Sequence, residues 1–312
     1  MAADLILADA APAPIALLAG ERTRHVDSQG VAICVREWGD LAAPAIVLLH
    51  GLRGYSGTWR TLAAALADRY RLIAFDARGR GDSSWDQGRN YYTDAYLADL
   101  EAVVAASGLD RFTLIGHSMG GTTSYAYAAR HPDRLRALVV EDITAGSSVS
   151  GAGFERIVAE MKALPTHFAD WQAARAYWRK LRPNVSAAAI EERLWESMKP
   201  ASDAPDKAGG VIWRYDADGI AATRVAPDPA RVLDLEPVIA AIRTPTLVIR
   251  GGQSDFCNLD TVRRLEQGNP WLAHATVEAA SHYVHDDAPE AFGRLVEGFL
   301  AGLRVRTATG QA

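Results

Sequence analysis

At 312 residues, 49% of them hydrophobic and 23% charged, the chain can bury a large core and suits one α/β domain carrying an inserted subdomain. A formal net charge of −5 leaves no basic footprint, which argues against nucleic acid as a partner. The two cysteines, Cys34 and Cys257, are far apart and in no ligand spacing, which argues against a disulfide framework and a zinc site.

Residues 1–24 are Ala-rich, with Asp4 and Asp9 where a secretory leader carries positive charge. They are expected to form a loose extension of a cytoplasmic protein, a cleaved leader being the alternative. No apolar run is long enough to cross a bilayer, so no membrane partner is expected. Residues 30–38, GVAICVREW, alternate and predict an antiparallel strand at a sheet edge. Residues 45–49, AIVLL, form a continuous apolar run, as in a strand covered on both faces. A helix is expected over 58–69 and a buried strand over 71–75. The turn at 76–83, DARGRGDS, is glycine-rich, but no phosphate-loop pattern accompanies it. Asp76 and Arg78 read there as a turn-stabilising pair. Residues 94–106 have helical spacing.

The most informative stretch is 111–121, RFTLIGHSMGG. A short apolar run turns abruptly at Gly116-His117-Ser118-Met119-Gly120 and continues into TTSYAYAARH. Strand, Gly-x-Ser-x-Gly, helix is the layout of a nucleophile elbow. A serine on so sharp a turn is strained, and glycines on either side avoid collision with the strand and helix. The hydroxyl is pushed into the open, and the N-terminal N–H groups of the following helix point at the same place.

A strand is expected over 136–140, ending at Glu141-Asp142. From 144 to 235 only helical pieces are expected, with Trp171, Trp178, Trp195 and Trp213 among them and a Pro/Asp/Gly/Ser loop over 200–210. This is read as a helical cap, most of its aromatic residues forming its own core and a few lining the space beneath. Alternation then resumes: helix 236–242, strand 245–249 running out through RGGQSD, helix 259–267, strand 274–278 ending in AASH, and an amphipathic helix over 288–303. The tail, 304–312, is expected to fray. Repeated strand–helix alternation predicts an α/β fold, with a mostly parallel sheet and helices on both faces. Its functional groups gather at the carboxyl ends of the strands.

The stretches LLHG at 48–51, FDARGRGDS at 75–83, GHSMGG at 116–121, IRGGQSD at 249–255 and SHYVHDDAPEAF at 281–292 resemble those of the α/β-hydrolase superfamily, over about 24–303. The likeness points to the capped branch of esterases, lactonases and C–C hydrolases. It implies an eight-stranded sheet, a core of 25–143 plus 236–303, and a helical cap over 144–235. Chain order Ser, Asp, His is that of the family's triad.

By this resemblance Ser118 is the nucleophile, His282 the base and Asp255 the orienting acid. Asp142 is the alternative acid, at a position some family members use. Asp260 reads as a helix cap. The backbone N–H groups of Leu52 and Met119 would form the oxyanion hole. His285 reads as a supporting histidine, His117 as packing near the elbow and His50 as structural.

A serine at the elbow excludes the aspartate chemistry of epoxide hydrolases and haloalkane dehalogenases. His117 before the serine and Tyr283 after the base depart from the Asn and Trp usual in C–C hydrolases. Arg53, Trp59, Trp178, Trp213 and Tyr283 are the candidate substrate contacts. Arg175, Arg179 and Arg182 share a helical stretch with Trp171 and Trp178, and a guanidinium turned inward would bind a substrate carboxylate. The resulting expectation is a serine hydrolase acting on a small ester or lactone with no metal or organic cofactor. Amide or C–C cleavage by the same groups is one alternative, and a non-catalytic ligand binder is another.

Overall fold

The computed structural model describes residues 10–147, 149–203 and 209–308. The first part of the chain supplies strands β1 (Arg22–Ser28), β2 (Val31–Trp38), β3 (Ala45–Leu49), β4 (Arg71–Phe75), β5 (Phe112–His117) and β6 (Leu135–Glu141). Helices α1 (Arg60–Leu66), α2 (Thr93–Ala106) and α3 (Met119–Arg130) connect them. The chain then leaves the sheet for helices α4 (Ala152–Lys162), α5 (Trp171–Leu181), α6 (Ala187–Ser197) and α7 (Ala217–Val225) and short strands β7 (His167–Phe168), β8 (Met198–Pro200) and β9 (Val211–Trp213). It returns through α8 (Leu235–Ala241), β10 (Thr246–Gly251), α9 (Leu259–Gly268), β11 (Leu272–Val277), α10 (Val284–Asp287) and α11 (Pro289–Ala308).

The main sheet has eight strands in the order β1-β2-β4-β3-β5-β6-β10-β11. β2 pairs antiparallel with both β1 and β4, and the pairings from β4 through β11 are parallel. Alternation along each buried strand divides its side chains between two cores. Val47 and Leu49 pack with Leu100 and Val103 of α2 on one face. Ile46 and Leu48 pack with Leu62 of α1 and Phe292 and Val296 of α11 on the other. β3, β5 and β10 are buried along their whole lengths, so their centres are continuous apolar runs, with polar residues such as Thr113, His117, Thr246 and Arg250 confined to the strand ends.

Three expectations need correction. The edge strand is β1, which pairs along the whole of β2. Its sequence, RTRHVDS, buries only Val26 and Ser28, so it shows little apolar pattern. The inserted segment contains a three-stranded antiparallel sheet, order β7-β9-β8, as well as helices. These strands are two or three residues long, too short to show a period. The last helix continues through the expected tail to Ala308. In the expected loop over 200–210, residues 204–208 lie outside the described residues, as do 1–9 of the N-terminal extension and 309–312 of the tail. No helix of the described residues is long and apolar enough to cross a membrane.

Candidate active site

Ser118 sits between β5 and α3 with φ 52° and ψ −114°, a strained conformation for a residue with a side chain. A Cβ at Gly116 would strike Ser124 Oγ and the Gly120 carbonyl, and one at Gly120 would strike the Leu49 carbonyl. The turn is therefore open only to glycine at both positions. The Ser118 N–H donates to the Glu141 carbonyl at 3.0 Å, which ties the elbow to the end of β6.

The Ser118 hydroxyl lies 2.9 Å from His282 Nε2, and His282 Nδ1 lies 2.7 Å from Asp142 Oδ2. A carboxylate only accepts, so Nδ1 carries the ring proton and Nε2 is left to accept from the hydroxyl. The carboxylate on His282 is Asp142, not Asp255. Asp142 is fully buried and has φ 52°. Its Oδ1 accepts the Gly251 N–H at 2.8 Å, and its Oδ2 also accepts the Ser254 hydroxyl. The GGQSD turn thus supports the carboxylate on His282 without supplying it. Asp255 faces outward and receives both Nε and Nη2 of Arg156 from α4, at 2.7 and 2.9 Å. That guanidinium, with burial opposing, holds the Asp255 carboxyl below its usual range.

One signal in the sequence could have pointed to Asp142. Glu141 and Asp142 follow the apolar run 137–140 at the end of β6, and two buried carboxylates need partners. The partners are the two histidines of SHYVH. His282 takes Asp142, while His285 donates its backbone N–H and Nδ1 to Glu141, at 2.9 and 2.8 Å. Burial opposes protonation of His285, but Asp286 and Glu141 outweigh it and raise its pKa. His117 lies between the two rings, its Nε2 3.0 Å from the His282 carbonyl. Burial and the neighbouring histidines depress its pKa well below normal, so it is neutral. His50 accepts the Ala77 N–H at 3.0 Å, and burial pushes its pKa down to about 3. Asp76 and Arg78 do not pair: Asp76 accepts the N–H groups of Ser56 and Asp82, while Arg78 binds Asp99 and Asp86. Asp260 falls in the first turn of α9, where the capping side chain is Asn258.

Ser118, His282, Leu52 and Met119 line one cavity between the carboxyl ends of the strands and the inserted segment. Met119 begins α3, where an N–H has no partner inside the helix. Arg53 and Tyr283 line the cavity too. The three tryptophans expected beside them do not. Trp59 packs under the site against His285 and Phe292, ring centres 4.9 and 6.1 Å away. Trp178 and Trp213 stack edge-to-face, centres 5.9 Å apart, within the core of the inserted segment. Large rings bury more area against one another there than against an open cavity. The aromatic residues facing the cavity are Tyr92, Phe154, Phe256 and Tyr283. Of the three arginines expected on one helix, Arg175 binds Glu191, Arg179 is exposed, and Arg182 reaches the cavity.

His117, Glu141 and His285 bring ligand-type atoms within 4.8 Å of one another. Those atoms are engaged within the protein: His285 Nε2 lies 2.9 Å from Thr58 Oγ1 and Nδ1 lies on Glu141. Cys34 and Cys257 are buried free thiols.

The family pattern described as alpha/beta hydrolase fold matches residues 44–289. The sn-1-specific diacylglycerol lipase ABHD11 of Mus musculus is 32% identical over 267 residues, 84% of this chain and 83% of that one. The 2-(acetamidomethylene)succinate hydrolase of Mesorhizobium japonicum is 28% identical over 280 residues, 89% of this chain and 95% of that one. Among solved structures, E-2-(acetamidomethylene)succinate hydrolase superposes with a TM-score of 0.78 at 27% identity, covering 90% of this chain and 99% of that one.

Proposed function

The chain belongs to the α/β-hydrolase family, whose members named above are hydrolases, and on that premise we propose that it is a serine hydrolase cleaving a small carboxylic ester or lactone through an acyl-enzyme. The observation that carries this reading is the hydrogen-bonded line from Ser118 through His282 to Asp142. His282 takes the Ser118 proton as the hydroxyl attacks the carbonyl carbon. Asp142 holds the tautomer and stabilises the imidazolium. The oxyanion lies on the N–H groups of Leu52 and Met119, each such donor contributing about 3 kcal/mol to the transition state. His282 then protonates the leaving alcohol, and water, activated by the same ring, releases the acid. Residues 144–235 act as a cap that shields these steps from bulk solvent.

The test is hydrolysis of p-nitrophenyl acetate and butyrate. The wild type turns both over, and Ser118→Ala loses about 10⁵-fold or more in kcat. Equal rates for the two proteins would leave a ligand-binding protein and remove the enzyme. A second reading, amide cleavage by the same groups, is supported by the likeness to 2-(acetamidomethylene)succinate hydrolase. Turnover of p-nitroacetanilide at a rate near that of p-nitrophenyl acetate would select it.

A further inference from the structure

Five arginines, Arg53, Arg182, Arg193, Arg224 and Arg231, line the cavity that holds Ser118. Three of them have carboxylate partners: Arg53 binds Glu160, Arg193 binds Asp286 at 2.5 Å and Arg231 binds Asp94 at 2.6 Å. Arg182 and Arg224 ion-pair with no carboxylate among the described residues. Arg182 is only 8% exposed. Its Nη1 gives one long hydrogen bond, 3.3 Å, to the Leu181 carbonyl, and its Nε is buried with no partner. The guanidinium carbon lies over the Tyr283 ring, 3.1 Å from its centre, so the cation sits against the face of the residue next to His282.

A guanidinium stays charged at any working pH, and a buried charge without a counter-ion is costly. Burial pushes the Arg182 pKa down, with Arg53 and Arg193 adding repulsion and Tyr283 and Asp286 opposing without reversing the shift. Burial does the same to Arg224. The Tyr283 phenol shows the local sign of the field: burial opposes its ionisation, yet Arg182, Arg53 and Arg156 bring its pKa below normal. A chain with net charge −5 has thus placed five arginines around one cavity, and Asp286, the carboxylate in its lining, is ion-paired to Arg193 rather than to Arg182 or Arg224.

Building on the acyl-transfer reading of Ser118, we propose that Arg182 is a carboxylate-binding anchor and that the substrate is an anionic ester. Its free carboxylate is held by the unoccupied Nε–Nη2 edge of the guanidinium. Two parallel N–H···O bonds suit that edge, and the Tyr283 ring packed against the guanidinium restrains it. Arg224 adds a second positive charge in the same cavity. The substrate class is therefore a half-ester, or an ester of a hydroxy acid, rather than a neutral ester.

The experiment compares kcat/KM within two matched pairs: mono-p-nitrophenyl succinate against p-nitrophenyl butyrate, and 4-acetoxybenzoate against phenyl acetate. The wild type is expected to favour the charged member of at least one pair tenfold or more. Arg182→Gln collapses that ratio to within threefold of unity, and the exposed Arg179→Gln leaves it unchanged. Arg182→Lys, which keeps the charge without the fork, retains part of the ratio and serves if the glutamine variant fails to fold. No preference in either pair, or a ratio that survives both Arg182 substitutions, overturns the anchor. Binding separates this outcome from failure of the hydrolase reading. Succinate and succinamide are titrated calorimetrically into Ser118→Ala with and without Arg182→Gln. A tenfold or greater loss of succinate affinity on removing Arg182 supports the anchor even without turnover, and equal affinities overturn it.

Discussion

Replacing each candidate acid by its amide separates the two assignments. In Asp142→Asn, the oxygen that accepts the Gly251 N–H at 2.8 Å keeps its bond. The NH₂ group then replaces the oxygen that faces His282 Nδ1 and the Ser254 hydroxyl. An amide nitrogen can only donate, so the ring proton must move to Nε2, the atom 2.9 Å from Ser118 Oγ. The base is then blocked where it has to accept. Reversing the tautomer in such a triad costs about 10⁴-fold in kcat, or about 5 kcal/mol of transition-state stabilisation. The Ser254 hydroxyl, which donated to the replaced oxygen, then faces a donor, and the reversed bond costs at most about 1 kcal/mol. Asp255→Asn disturbs only an ion pair whose side chains are 32% and 35% exposed. Solvent screening leaves that pair worth below about 1 kcal/mol, and the expected change in kcat is less than about threefold by the same argument. The assay is steady-state hydrolysis of p-nitrophenyl butyrate at pH 7.5, with melting temperatures as a folding control. If Asp255→Asn falls as far as Asp142→Asn, or Asp142→Asn keeps more than a tenth of wild-type kcat, the reasoning fails.

Three further outcomes are expected. In Gly51→Ala the new Cβ would meet the His117 ring and approach Ser118 Cβ at 3.4 Å; the displaced Leu52 N–H should lower kcat by about 10²-fold with a smaller change in KM, read from steady-state kinetics. Trp178→Ala, which removes a side chain 1% exposed from the core of the inserted segment, should destabilise by about 3–5 kcal/mol in urea unfolding, whereas a substrate contact would change KM without that loss. His285 has a pKa raised in the folded state by Asp286 and Glu141 against burial. Its stabilisation is therefore full below its unfolded value, about 6.5, and is lost as pH rises through the higher folded value. The gap in melting temperature between wild type and His285→Gln should narrow from pH 5 to pH 9, and a gap that widens would contradict the assignment.

The residues differ in how far their roles could be read along the chain. Ser118 was legible because the elbow is local: a buried apolar run, glycines where a Cβ would collide, and a helix starting one residue later all lie within 112–130. The central strands were legible because burial on both faces demands continuous apolar runs. β1 and the strands of the inserted segment were not, being half-exposed or only two or three residues long. The tryptophans were legible as hydrophobes, but nothing in their spacing says whether a ring faces a cavity or another ring. Asp142 and Asp255 both follow a strand of the parallel sheet, so chain position alone could not choose between them.

Local order in the chain is enough to establish an alternating α/β architecture, a strained serine at one strand end and a histidine at another. These follow from backbone sterics and burial acting over a dozen residues at a time. Which carboxylate meets His282 and which arginine is left without an ion pair among the described residues depend on groups far apart in sequence. Arg156 of the inserted segment turns Asp255 outward, while Gly251 and Ser254 hold Asp142 against a ring 140 residues away. Arg182 stands out among its neighbours because Arg53 and Arg193 pair with Glu160 and Asp286. Pairing between charges is settled by distance in space, and folding alone sets that distance.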